Sequence, residues 1–218
     1  MILRRISAPS IEPVSLLEAK NHLRVDFDFT DDDTLISSLI TAARERAEML
    51  TRRAFITQQW SLTLDAFPGP TMMGVPFGRS FSVPSHAVVI NKSPVQSIQS
   101  IQYLDMSGNQ QTLATNIWVA DIQGEPARIT PVFGAIWPPT LPQIASVVIK
   151  FTAGFGDTPD TVPEGIKDWI KIRVNTLYEN REEVAILTKG KMEDLPYVDG
   201  LLDPYKVSSY VRHYVLKF

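Results

Sequence analysis

Two hydrophobic periods divide this chain. Leu35, Ile36, Leu39, Ile40, Ala43, Ala47 and Leu50 recur at three- and four-residue spacing, which predicts a helix from about Asp33 to Arg52. Arg44, Glu45, Arg46 and Glu48 lie off that stripe and are expected to be mostly solvated. The same period returns in Ile166, Trp169, Ile170, Val174, Leu177 and Tyr178, with Lys167, Asp168, Lys171, Arg173 and Asn175 opposite. Pro163 and Glu164 mark the start of this second helix, one tolerating the missing N–H and the other complementing the dipole. The small Ala42, Ala43 and Ala47 invite close approach, so the two helices should pack together, with Trp169 buried between them. A shorter helix, to about Leu23, opens on the capping box Ser15-Leu16-Leu17-Glu18.

Between the long helices the period falls to two. Ile56, Gln58, Trp60, Leu62 and Leu64 alternate with Thr57, Gln59, Ser61 and Thr63, as in a half-buried strand. Further strands are expected at Ala87–Ile90, Ile98–Leu104, Gln110–Leu113, Ile117–Ala120, Ala127–Pro131 and Ser146–Ala153, and Asp105–Asn109 reads as a hairpin turn. No helical pattern interrupts the run, so the sheet should be antiparallel. The expected fold class is α+β: a helical domain from residues 1–54 and 154–203, an inserted antiparallel β module over 55–153, and a C-terminal tail over 204–218.

Composition removes several function classes. The chain has 218 residues and no cysteine, which excludes disulfides, thiolate metal sites and cysteine nucleophiles. No apolar run has a membrane helix's length, and no apolar segment follows the arginines of MILRRISAPSIEP to make a signal peptide. With 24 acidic and 21 basic residues, binding of nucleic acid through bulk charge is not expected. The three histidines, His22, His86 and His213, are scattered, and no nucleotide-binding or hydrolase fingerprint occurs. The acidic run Asp26–Asp33 fails as a calcium loop, since Asp31 stands where glycine is needed and Ser37 where a bidentate glutamate is needed. These carboxylates are read as caps for the next helix. A metal-dependent enzyme or ligand-binding module using Asp26–Asp33 is the less favoured alternative. No catalytic residue, cofactor or metal site is expected.

Two segments read as contact surfaces. Ala66–Ser85 is rich in Pro and Gly yet carries Met72, Met73, Val75 and Phe77. Pro204–Phe218 holds Lys206, Arg212 and Lys217 without an acid, and Tyr210, Val211, Tyr214, Val215 and Phe218 follow an amphipathic helical pattern. Val184–Asp194, polar and with Gly190, reads as a link between the central helix and this end of the chain.

The order of motifs resembles one family. Glu18-Ala19-Lys20…Leu23, Asp33…Leu35-Ile36…Ile40…Ala43, the strand pair near Ile98–Tyr103, the Ala153-Gly154 turn, Tyr178–Glu182 and Leu201–Tyr205 match tailed-phage head–tail connectors. These head-completion adaptors, some labelled DNA-packaging proteins, have prophage and gene-transfer-agent relatives. The resemblance covers nearly the whole chain, although each motif is short, and the β module exceeds the compact all-helical members. It implies a structural protein in a virion or phage-like particle, assembled in the bacterial cytoplasm. It further implies a ring, expected to be dodecameric, whose subunits can be monomeric when free. That ring would sit beneath the portal protein, prolong the DNA channel without sequence-specific contact, and meet the next head-completion or tail protein. Portal binding is expected from Lys206, Tyr210, Arg212, Tyr214, Lys217 and Phe218, with Met72, Met73, Val75 and Phe77 as a second candidate. A tail or baseplate structural role is the alternative within the same class. Leu35, Leu39, Ile166, Trp169, Ile170 and Tyr178 are expected to build the core.

Overall fold

A computed structural model describes residues 1–69, 86–180 and 196–207, with side chains of the last stretch from residue 198. The chain is α+β, and its elements fall into two compact units. One is helical, from Pro9–Thr57 and Phe155–Lys206; the other holds the strands, in Met1–Ala8 and Gln58–Gly154, together with Val207.

The helical unit is built on α1 (Leu16–Leu23), α2 (Asp33–Thr51) and α3 (Glu164–Glu179), with the short α4 (Pro196–Gly200). The capping box forms: the Glu18 N–H donates to Ser15 Oγ at 3.2 Å and the Ser15 N–H donates to Glu18 Oε2 at 2.7 Å. Burial pushes the Glu18 carboxyl up, but the hydrogen bonds from Ser15 outweigh it, and its pKa lies below the usual value. A carboxylate with a depressed pKa contributes stability above its unfolded pKa and loses it as pH falls through the folded one. Ser15→Ala is therefore expected to cost about 1 kcal/mol at neutral pH. In denaturation series the difference from wild type should shrink as acid protonates Glu18. A pH-independent difference would remove the carboxylate from this account.

Helices α1, α2 and α3 enclose one apolar core around Ile36, Ile40, Ala43, Ala47, Ile166, Trp169, Ile170 and Val174. Phe55, Ile56 and Val162 join it from the connections, and Leu202 joins it from the far end of the sequence. The motif Leu201–Tyr205 is thus a packing element. A 3-10 turn, Asp203–Tyr205, lays Tyr205 against the core, and Gly165 of α3 makes room: a Cβ there would lie 3.3 Å from the Tyr205 ring. Arg53 Nε donates to the Tyr205 carbonyl at 2.6 Å, clasping the turn to the residues after α2.

The β unit contains two antiparallel sheets. Strands β1 (Ile2–Ser7), β2 (Gln58–Leu64), β4 (Val95–Leu104), β5 (Gln110–Thr112) and β8 (Val147–Ala153) form the order β1-β2-β8-β4-β5. Strands β3 (Val88–Ile90), β6 (Trp118–Asp121) and β7 (Ala127–Pro131) form the order β3-β7-β6. Leu62, Ile101, Ile149 and Phe151 are fully buried along the larger sheet, and Ile90 and Ile129 along the smaller. The expected hairpin is present: Asp105 Oδ1 accepts from the N–H groups of Ser107 and Asn109, both at 2.9 Å, and Gly108 takes φ 83°.

The boundaries differ from those expected in three places. Ile2–Ser7 is a strand paired with β2, so the start of the chain belongs to the β unit and not to the helical one. Phe55–Thr57 lie with the helices, because Phe55 and Ile56 are core residues there. Pro204–Lys206 also lie with the helices, held by the Tyr205 contacts, and are not part of a separate tail.

Candidate partner-binding surfaces

Of the residues expected to bind the portal, Lys206 alone is described. It is exposed and its Nζ lies 2.6 Å from Asp203 Oδ1, an i,i+3 pair. Tyr210, Arg212, Tyr214, Lys217 and Phe218 lie outside the described residues, as do Met72, Met73, Val75 and Phe77. Of the expected core residues, Ile166, Trp169 and Ile170 are fully buried, Leu39 and Tyr178 pack against the core from its margin, and Leu35 is half-buried.

Three charged residues sit where solvent was expected. Arg44 is 2% exposed and Glu48 is 3% exposed. Arg44 Nε lies 2.7 Å from Glu12 Oε2 and its Nη1 3.2 Å from Glu48 Oε2. Glu48 Oε1 also accepts from the Phe55 N–H at 3.0 Å, and Glu12 Oε1 accepts from Thr41 Oγ1 at 2.8 Å. The network thereby ties the approach to α1, the body of α2 and the chain beyond it. Lys167 is the third, at 7% exposed; its ammonium lies 2.5 Å from Glu164 Oε1. That hydrogen bond outweighs burial and raises the Lys167 pKa.

The acidic run is structural in a way different from capping. Asp32 occupies the N-cap position of α2 without a side-chain cap bond, and its carboxylate accepts from the Tyr178 hydroxyl of α3. Asp33 Oδ1 lies 2.6 Å from Lys20 Nζ, and that buried ammonium also donates to the Phe27 carbonyl at 3.1 Å. The Tyr178 and Lys20 positions of the family-like motifs thus join three helices through one loop. Among the described residues no three His, Asp or Glu side chains gather as a metal site, and no helix is long and apolar enough to cross a membrane.

The features suited to a protein partner are apolar and lie on the β unit. A cavity of about 550 Å³ is lined by Phe67, His86, Pro131, Ile136, Trp137 and Pro139 among others. Phe67 and Trp137 stack there with centroids 4.6 Å apart, and Trp137 Nε1 donates to the His86 carbonyl at 2.7 Å. Beside it Phe133 is fully exposed, and Ile136 and Ile144 are 83% and 82% exposed. Met1, Ile2 and Ile6 form a second exposed apolar group along β1. The sequence reading missed both groups. The uncharged stretch from Val132 to Ser146 was the available signal.

Three solved chains share this fold over nearly their whole length. One, described as a virion of a native gene transfer agent particle, has a TM-score of 0.73 at 21% identity, covering 97% of this chain and 98% of that one. Another, the neck of an empty GTA particle computed with C6 symmetry, has a TM-score of 0.72 at 22% identity and the same coverage. A third, the neck of a native GTA particle computed with C12 symmetry, has a TM-score of 0.68 at 21% identity, again over 97% and 98%. The fold is one found among chains of virus-like particle necks. Residues 13–92 belong to the phage gp6-like head-tail connector protein family. That segment runs from α1 through α2 and β2 to the residues after β3. No curated protein matches the chain.

Proposed function

We propose that this protein is a structural head–tail connector. Its copies form a ring beneath the portal, prolong the DNA channel and present a surface to the next head-completion or tail protein. One coincidence supports this best: the family match over residues 13–92 falls within a whole-chain likeness to neck chains. Twelve copies fit the C12 symmetry of one such neck. A net charge of −3 suits a channel that DNA traverses without being gripped, since many phosphate-binding cations would slow transit. The role requires no catalytic step. Deleting the gene in a particle-producing host should leave capsids without tails, restored by the wild-type gene in trans. Intact tailed particles without this protein would overturn the assignment.

Within this role the tail from Lys206 to Phe218 docks on the portal. Tyr210, Tyr214 and Phe218 supply apolar area at low rotamer cost, and Lys206, Arg212 and Lys217 complement an acidic surface. Truncation must spare Tyr205, which the helical unit uses. A chain ending at Val207 is expected to keep its melting temperature and lose copurification with portal. Retained binding would move the interface to Met72, Met73, Val75 and Phe77. Light scattering should show the free protein as a monomer that becomes a ring on mixing with assembled portal.

A further inference from the structure

The β unit carries its two exposed apolar groups at opposite edges of one sheet. Pairing registers define a row across it, Ile2–Thr63–Val148–Gln102–Thr112. Ile2 begins this row on the β1 edge, 66% exposed, with Met1 and Ile6 beside it. At the other side, Leu104 lies two residues along β4 from Gln102 and anchors the apolar loop: the Leu104 N–H donates to the Ser146 carbonyl at 2.9 Å, and the Leu141 N–H donates to the Leu104 carbonyl at 3.0 Å. Three strand spacings, about 14 Å, separate Ile2 from Gln102. The two apolar groups therefore lie at one level, on opposite sides of the sheet.

The loop is built to present its side chains. The Val132 N–H donates to the Ile117 carbonyl at 2.9 Å and the Ala135 N–H to the Val132 carbonyl at 3.0 Å, while Trp137 is fixed by Phe67 and His86. Phe133, Ile136 and Ile144 project from a backbone held at both ends, so covering them needs little further ordering. The loop has no charge from Val132 to Ser146, and the exposed Arg4 of β1 would meet no like charge on it. Exposed apolar surface of this kind marks a contact site.

We propose that these two groups meet between adjacent copies of this chain, Ile2 and Ile6 of one against Phe133, Ile136 and Ile144 of the next. A partner of another kind would need one such surface. A ring of identical copies needs two different surfaces on each, complementary and placed so that the rotation closes. Two uncharged groups at one level on opposite edges meet that requirement. The inference rests on the ring proposed above.

Because the chain has no cysteine, introduced thiols alone report contact. Ile2→Cys, Phe133→Cys and the double variant, each produced with portal, are treated with a short bifunctional maleimide. The double variant is expected to give a ladder of covalent oligomers, at least tenfold above either single variant, and a mixture of the singles should stop at dimers. Dimers from Phe133→Cys alone, or its attachment to portal, would overturn the proposal. So would the lack of any cross-link in particles that contain the protein. Phe133→Asp, at a solvent-exposed site, should keep its melting temperature while losing at least tenfold in ring incorporation; normal incorporation would also sink the contact. If wild-type protein is missing from particles, the connector reading itself has failed, a result the cross-links cannot imitate.

Discussion

Arg44→Ala is expected to lower the unfolding free energy by about 3–5 kcal/mol, the cost of taking one partner from a buried ion network. The guanidinium faces Glu12 and Glu48, and the Glu48 side chain is almost as inaccessible as Arg44 itself. Without the cation, Glu48 remains in a low-dielectric site with one oxygen turned to the Phe55 N–H. Replacing the set together, Glu12→Gln with Arg44→Met and Glu48→Gln, should recover much of the loss, because the desolvation cost of the charges disappears with them. Chemical denaturation of the four proteins measures this. A loss below about 1 kcal/mol for Arg44→Ala would mean that water reaches the site.

Trp169→Ala is expected to cost a similar amount, about 3–5 kcal/mol, through a different cause. Trp169 is the largest fully buried side chain, and its ring fills the space among α1, α2 and α3. Its Nε1 also donates to Asp199 Oδ1 of α4 at 3.1 Å, joining the core to the segment that carries Leu202. Trp169→Phe keeps most of the apolar volume and gives up the hydrogen bond, so its loss should be clearly smaller. Equal losses for both variants would place the energy in the hydrogen bond and not in the cavity.

The helices were legible because their apolar stripes are long and their ends chemically marked. Ser15 and Glu18 signalled α1, and Pro163 and Glu164 signalled α3, to within a residue or two. The central strands were legible for the same reason, with period-two patterns and an Asp-led turn at Asp105. Strand β1 was not legible. Ile2-Leu3-Arg4-Arg5-Ile6 has no clean alternation, and its pairing with β2 comes from residues more than 50 positions away. Arg44, Glu48 and Lys167 misled because charged residues on a helix are solvated by default, and what reverses the default is a partner such as Glu12 that only tertiary structure supplies. Asp32 misled in a related way: its place before α2 suits a cap, yet a tyrosine 146 residues later takes the carboxylate. The apolar loop around Phe133 carried a signal, the lack of charge, but such a run reads equally well as buried chain until its exposure is seen.

The late position of Leu202 and Tyr205 bears on how the protein is made. The core around Trp169 includes Leu202, and Arg53 reaches across 152 positions of sequence to the Tyr205 carbonyl. A ribosome that has released α1 and α2 has therefore released two helices whose apolar faces have no cover, since α3 and the Leu202 turn are still unmade. The β strands emerge next and complete their sheet with β8, before the helical core can close. Nascent chains stalled before residue 202 should consequently expose the Ile36–Ala47 face to chaperones and proteases, and protection should arrive abruptly with the last residues of the helical unit.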